Sequence, residues 1–489
     1  MFETAELGRA LDKASYAKRV PALRTELLAL QAKAREARVP IFILINGVDG
    51  AGKGETVNLL HEWMDPRYLS AHAFGPPSDE ERSRPAWWRY WRALAPKGRI
   101  GLYFGNWYTE PIVGRALRRL SKNAFEAELT RIKSVERALV DDGALFVKLW
   151  FHLSKQAQQQ AYRELRSSKR TRWRVTKADL KNQRRYDRFR DISERALRET
   201  STGFAPWTII EAADARYRNI AVGETVAAAI RERLDHRPVA RPSAEQRPPP
   251  TDGRTILDTV ENTQKIGDKR YDKRLEVLQG RLHNAFEELK RQRRSAIAVF
   301  EGWDAAGKGG AIRRVTAALD ARDYRVIPIA APTDEERAQH YLWRFWRHLP
   351  GAGRMTIYDR SWYGRVLVER VEGFAHEGEW QRAYNEINEF EEQLVQHGTV
   401  VAKLWLHIDQ AEQLTRFRER ERTSFKQFKI TKEDYRNRAK AGLYVHAVHD
   451  MVERTSTDVA PWHLVAAADK RFARLDVLEH LCRRLEKAL

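Results

Sequence analysis

Cysteine is almost missing. Cys482 is the only one in 489 residues, which excludes a disulfide within the chain and any cysteine-built metal site. A reduced cytosol suits such a chain. Long apolar runs are missing too. The amino-terminal stretch MFETAELGRALDK carries no apolar signal core, and nothing approaches the roughly 18 apolar residues of a membrane span. VPIFILI, from Val39, is of buried-strand length. No HExxH or similar metal spacing occurs among the histidines, and there is no zinc finger or RNP-like pattern, so no dedicated nucleic-acid site is expected. Positive charge, by contrast, is abundant: Lys and Arg exceed Asp and Glu by 88 to 67, a formal net charge of +21. A field of that sign draws polyanions such as nucleic acid, acidic lipid or phosphorylated substrates; a basic surface that serves only solubility is the competing reading. The 42% of hydrophobic residues, 15 Trp among them, can fill the cores of two or more domains.

The chain repeats itself. GVDGAGKGE at Gly47 returns as GWDAAGKGG at Gly302, VKLWFH at Val147 as AKLWLH at Ala402, and APWTIIEAAD at Ala205 as APWHLVAAAD at Ala460, all with the same offset of 255 residues. One offset shared by three anchors marks a duplicated domain of about 235 residues. The expected organisation is a first domain over 1–234, a Pro-rich linker over 235–254 and a second domain over 255–489. Each copy opens with a long charged helix (Ser15–Arg38, Lys273–Arg294), then a strand (IFILING, AIAVFEG), a glycine loop and a helix. Trp- and Arg-rich helices (WWRYWR, LWRFWR) and further strands (VKLWF, VAKLWLHI) follow. Strands alternating with helices predict an α/β fold with a parallel sheet flanked by helices.

GxxxxGK between a strand and a helix is the phosphate-cradling P-loop: backbone N–H groups meet phosphate oxygens at a helix N-terminus, and the lysine adds charge. This marks Gly302, Gly307, Lys308, Gly309 and Gly310, with Lys53 in the first copy. The usual Ser or Thr after the lysine, whose hydroxyl would hold Mg²⁺, is replaced by Gly54 and Gly309, so a metal has to be held otherwise. Each loop carries an acid, Asp49 or Asp304. An acid inside a phosphate cradle repels its ligand unless a cation intervenes, so Asp304 is expected to face Mg²⁺ or a proton on an acceptor phosphate; a carboxylate that merely caps the loop is the competing reading.

The copies differ in their charged residues. TIYD in the second resembles a Walker B strand end with Asp359 as metal ligand, followed by Arg360 and Arg365, which suit phosphate oxygens. At the same offset the first copy has Phe104, Gly105 and Glu110, while Tyr103, Trp107 and Tyr108 match Tyr358, Trp362 and Tyr363. Gly310 is likewise matched by Glu55. The second copy is therefore expected to be catalytic and the first catalytically degenerate. Arg420, Lys426 and Lys429 fall in a basic helical stretch that reads either as a lid over phosphates or as a solvated face. Trp343 and Trp346 read as core packing rather than a base-stacking platform.

Taken together, GWDAAGKGG, PTDEERAQHYLWRFW, IYDRSWYGRVLVERV, AKLWLHI, the Arg420/Lys426/Lys429 spacing and TSTDVAPW resemble the family-2 polyphosphate kinases over nearly the whole second copy, and more loosely over the first. The resemblance implies two tandem P-loop kinase-like domains with a helical lid, and transfer of phosphate between inorganic polyphosphate and nucleotides with Mg²⁺. The two-copy subgroup implies AMP as acceptor and ADP as product. It also implies that Asp304 and Asp359 hold the metal and orient the attacking oxygen. Lys308 and Arg360 would stabilise the moving group, and Arg420, Lys426 and Lys429 would close on it. One departure is Thr423–Ser424, where the family often has Asp-Pro. An ATP-dependent nucleoside monophosphate kinase and a non-enzymatic polyanion-binding protein remain rival readings, and the sequence is compatible with a homo-oligomer.

Overall fold

The computed structural model describes residues 1–236 and 254–489, with the backbone alone of 426 and 429. Most of the expected linker lies outside the described residues. The chain forms two units: among the described residues, one is built from 1–77, 89–236 and 334–340, the other from 78–88, 254–333 and 341–489.

In the first unit the strands are β1 (Ile41–Gly47), β2 (Leu69–Ala73), β3 (Ile100–Phe104), β4 (Leu145–His152) and β5 (Trp207–Glu211), ordered β2-β3-β1-β4-β5. In the second they are β6 (Ala296–Gly302), β7 (Tyr324–Pro328), β8 (Met355–Asp359), β9 (Val400–His407) and β10 (Trp462–Ala466), in the equivalent order β7-β8-β6-β9-β10. All neighbours pair in parallel. The central strands β1 and β6 are buried on both faces, which is why IFILI and AIAVF read as continuous apolar runs rather than alternating ones. Both strands span the residues expected from the sequence. The long charged helices run Lys13–Glu36 and Asp268–Arg291, a few residues earlier than expected. The Trp/Arg-rich segments form only short helices, Trp88–Arg92 and Trp343–Trp346. Trp343 and Trp346 are buried, as core packing requires.

Parallel strands deliver their carboxyl ends to one edge of the sheet, where ligands of open α/β sheets bind. In the second unit this brings Gly302 at the end of β6 next to Asp359 at the end of β8, since Phe300 pairs with Asp359 in register.

Candidate functional site

The loop after β6 is shaped by its glycines. Gly302 has φ +143°, and a Cβ there would lie 2.4 Å from the Leu406 carbonyl oxygen. Gly307, at φ +110°, is the N-cap of helix Lys308–Thr316 and offers no side-chain cap. The first-turn amides are thereby left to a ligand, and the helix dipole favours an anion. Lys308 ties the loop together, donating from Nζ to the carbonyls of Gly302 at 2.6 Å and Trp303 at 3.2 Å.

Asp304 is held on three sides. Its Oδ1 accepts from Arg360 Nη2 at 2.9 Å, its Oδ2 from Asn437 Nδ2 at 3.1 Å, and its carbonyl from Gln413 Nε2 at 3.2 Å. Burial alone would raise its pKa; the Lys308 and Arg360 cations and the Asn437 amide overcome that and keep the carboxyl below its ordinary range. Lys308 is shifted down by burial against the pull of Asp304. Beneath them Glu301 is buried and accepts from Ser361 Oγ at 2.8 Å; burial raises its pKa, only partly offset by that bond. Arg360 sits at φ +65°, a left-handed conformation that side chains resist.

These groups wall a cavity of about 520 Å³ that takes in Asp304, Gly307 to Gly310, Asp359, Arg360 and Arg420. Seven cationic side chains line it against four carboxylates, a surplus suited to an anionic ligand. A smaller cavity of about 80 Å³ lies against the same Asp304 and Arg360 and is lined by Gly302, Trp303, Trp405 and Tyr444.

Not every expected residue joins the site. Arg365 was expected on phosphate; instead it pairs with Glu369 at 3.2 Å, stacks 4.4 Å over the Tyr341 ring, and is absent from the lining of either cavity. One helical turn joins it to Glu369, a local partner that competes with a ligand. The side chains of Lys426 and Lys429 lie outside the described residues; their backbone forms the short helix Ser424–Lys429.

Sequence reasoning missed Arg416, whose guanidinium is nearly fully buried. It donates to the carbonyls of Ala305 and Ala306, both at 3.1 Å, and of Ala467 and Ala468, at 2.7 and 2.8 Å, pinning the loop. Gln413 and Asn437 were missed as well, although both recur at the offset as Gln158 and Asn182. Gln158 donates to the Asp49 carbonyl at 3.0 Å, as Gln413 does to that of Asp304.

The first unit keeps the loop, and a cavity of about 310 Å³ beside it lined by Asp49, Lys53, Gln158 and Asn182, but not the charged pair from the neighbouring strand. Lys53 donates to the Gly47 carbonyl at 2.5 Å and also meets Asp49 Oδ1 at 3.2 Å. Phe104 and Gly105, at φ +67°, stand where Asp359 and Arg360 stand in the second unit. Arg416 has Ala161 as its counterpart; Arg218 takes over, donating to the Ala51 carbonyl at 3.3 Å and pairing with Glu55 at 2.8 Å. A Cβ on Gly52 would lie only 1.9 Å from its Nη1. The counterparts of Glu55 and Arg218 are Gly310 and Ala473, two residues that line the 520 Å³ cavity.

The residues of the second unit suit Mg²⁺. The two carboxylates Asp304 and Asp359, which line the same cavity, are hard oxygen donors, and Mg²⁺ takes one or two such groups with phosphate oxygens and water completing its octahedron. Among the described residues no group of three or more His, Cys, Asp or Glu could hold a metal without such help.

A parallel sheet ending in an uncapped glycine loop, with lysine, paired acids and arginines gathered around it, defines a P-loop kinase-like α/β protein. The sequence model for polyphosphate kinase 2 matches residues 10–238 and again 265–489, and the chain belongs to that family. It is 49% identical to a polyphosphate:AMP phosphotransferase of Pseudomonas aeruginosa, with 100% of this chain and 99% of that protein covered. It is 48% identical to one of Pseudomonas syringae pv. tomato at the same coverage. A crystal structure of a polyphosphate kinase 2 from Pseudomonas aeruginosa superimposes with a TM-score of 0.90, at 49% identity over 100% of this chain and 99% of that one.

Proposed function

We propose that this chain transfers a phosphoryl group from inorganic polyphosphate to AMP, giving ADP, with Mg²⁺ and with the chemistry in the second of two domains, 255–489. Residues 1–234 form a catalytically degenerate copy, joined to it through a linker over 235–254. The activity rests on full-length similarity to relatives that carry that name. The assignment to the second domain rests on one observation: Asp304, Lys308, Asp359 and Arg360 line one cavity there, whereas Asp359 and Arg360 are replaced by Phe104 and Gly105 in the first copy.

The reaction breaks the terminal P–O–P link of the donor and forms a new one to the phosphate of AMP, so the donor shortens by one unit. It needs positioning and positive charge more than covalent help, and no nucleophilic side chain is required. The 520 Å³ cavity suits the phosphate chain, and the smaller aromatic one suits the acceptor. Asp304 and Arg360 belong to both, which is where acceptor oxygen and transferring group have to meet. Asp304 and Asp359 would hold Mg²⁺, which supplies Lewis-acid charge to the phosphate oxygens. Lys308 and Arg360 neutralise charge on the moving group. Asn437 and Gln413 hold Asp304 in place. Arg420, with Lys426 and Lys429, closes over the chain. Gly307, Gly309 and Gly310 keep the cradle open, since a Cβ at Gly309 meets nothing and one at Gly310 only the Arg474 guanidinium at 3.5 Å.

No helix among the described residues is long and apolar enough to cross a membrane. We place the protein in the cytoplasm, where its buried Cys482 stays reduced. The deciding experiment offers AMP with either polyphosphate or ATP and measures ADP. ADP formed from polyphosphate and not from ATP is the expected result; a preference for ATP would make it an ordinary monophosphate kinase.

A further inference from the structure

The first unit has lost the charged pair at its loop but not the charge on its surface: a cavity of about 310 Å³ beside that loop is still lined by Asp49 and Lys53, with Phe104 and Gly105 where the second unit has Asp359 and Arg360. Between Arg163 and Arg185 it carries ten cations against two acids; the matching stretch of the second unit, Arg418 to Lys440, carries nine against four. The copy without the catalytic pair is therefore the more basic of the two at this position. Six of these cations are also unspent. Arg166, Lys169, Arg170, Arg172, Lys177 and Lys181 are all exposed, and none has a carboxylate within 4 Å among the described residues. Arginines elsewhere on this unit commonly find one: Arg19 meets Glu224, Arg195 meets Glu126 and Arg198 meets Glu194. A merely solvated face would be expected to interleave its signs as those helices do.

Three short elements carry the patch: helix Lys155–Ser167, the turn Arg172–Arg174 and helix Lys177–Gln183. Trp173 projects from the turn and is 72% exposed. Meanwhile one flank of the loop beside the patch is occupied by the protein's own charges. Arg218 and Arg174 both pair with Glu55, at 2.8 and 3.3 Å, on the flank whose counterpart opens into the cavity of the second unit. A phosphate chain meeting this surface finds cations along which to lie, and a loop that lacks counterparts of Asp359 and Arg360.

We infer that the basic arm of the first unit, residues 163–185, is a docking surface for the polyphosphate chain, separate from the transfer site and without catalytic chemistry. The inference rests on polyphosphate being the donor. A chain long enough to engage both units is held by the arm, and its end is presented to the transfer site at raised local concentration; a short chain gains nothing from it. Attraction of this kind comes from counterion release, so it weakens steeply with salt and carries no sequence or length register.

The test is the full-length R166Q/R170Q/R172Q/K177Q variant, its fold checked by thermal melting. Its KM is measured with AMP and either tripolyphosphate or chains of hundreds of units, across a salt series. The expected result is a KM for long chains raised about tenfold at low salt, a log–log salt dependence shallower by roughly three, and unchanged kcat and short-chain KM. An unchanged long-chain KM overturns the proposal, and an equal loss with both donors would assign these cations to the transfer site instead, overturning it too. Should the wild type make no ADP from any polyphosphate, the donor reading itself fails. Titration of the intact protein with fluorescently labelled long polyphosphate still reads the arm then, and equal affinity in wild type and variant rejects it.

Discussion

Arg360 reaches from the end of β8 to place its Nη2 2.9 Å from Asp304 Oδ1 in the glycine loop, and it does so from a left-handed backbone, φ +65°. The first unit has Gly105 at the same position with φ +67°, so the backbone path is shared and only the second unit places a side chain on it. Strain retained at one residue beside a phosphate cradle is a mark of function. R360A and R360G should both lower ADP formation by at least about a hundredfold. In chemical denaturation R360G should be the more stable of the two by about 1 kcal/mol, since glycine alone adopts this φ without steric cost. Equal stabilities would mean that the turn carries no strain.

Asp359 ends its strand on the wall of the cation-rich cavity. D359N keeps the shape and removes the charge that a divalent ion requires. Turnover should fall by about two to three orders of magnitude, while polyphosphate binding, measured by titration, stays within about twofold of wild type because the cations are untouched. Retained turnover would remove Asp359 from the metal site.

Lys53 and Lys308 donate to the same two carbonyls of their loops. Their roles should nonetheless differ. K308A should reduce the rate by at least about a thousandfold, and K53A should leave it within about twofold. A collapse of rate in K53A would restore catalysis to the first unit.

Glu301 is buried with its pKa raised by desolvation. The folded state then binds a proton more readily than the unfolded one, so the wild type loses stability as pH rises from the ordinary carboxylate range through the raised value. E301Q keeps the Ser361 partner and has no charge to bury. It should melt higher than wild type at pH 7, and the difference should shrink as the pH is lowered toward 4. A constant difference across that range would mean that the carboxyl is already ionised without cost.

Each core holds a buried ion pair. Lys148 Nζ meets Glu136 at 2.8 Å and the Thr200 carbonyl at 2.7 Å; Lys403 Nζ meets Glu391 at 2.8 Å and the Thr455 carbonyl at 2.6 Å. The same glutamates also accept from Tyr108 at 2.8 Å and from Tyr363 at 2.7 Å. Removing one partner strands the other charge. K403M should cost about 3–5 kcal/mol in unfolding free energy, and K403M/E391L should recover most of it. If the double variant is no better than the single one, packing rather than charge accounts for the loss.

Much of this was legible in the chain. A constant offset of 255 residues revealed the duplication, and short apolar runs bounded by glycine located the central strands. Both signals are local: a buried parallel strand has to be apolar on both faces, and a phosphate loop has to be glycine. The loss of Asp359 and Arg360 from the first copy could also be read position by position. Arg365 could not, because a guanidinium five residues beyond Arg360 is drawn equally to a phosphate and to a carboxylate one turn away, and only packing decides between them.

The arginine that supports each loop shows the division most clearly. In one unit it is Arg416, in the other Arg218, which come from different helices far apart in the chain and yet reach equivalent carbonyls, those of Ala306 and Ala51. Composition, repeat and motif are properties of neighbours in sequence, and from these alone the fold class, the duplication and the phosphate loop follow. Which cation pins a loop, which carboxylate it neutralises, and whether a cradle stands open or is filled by an ion pair depend on side chains brought together from distant segments, so these were settled only when the sheets and their helices assembled.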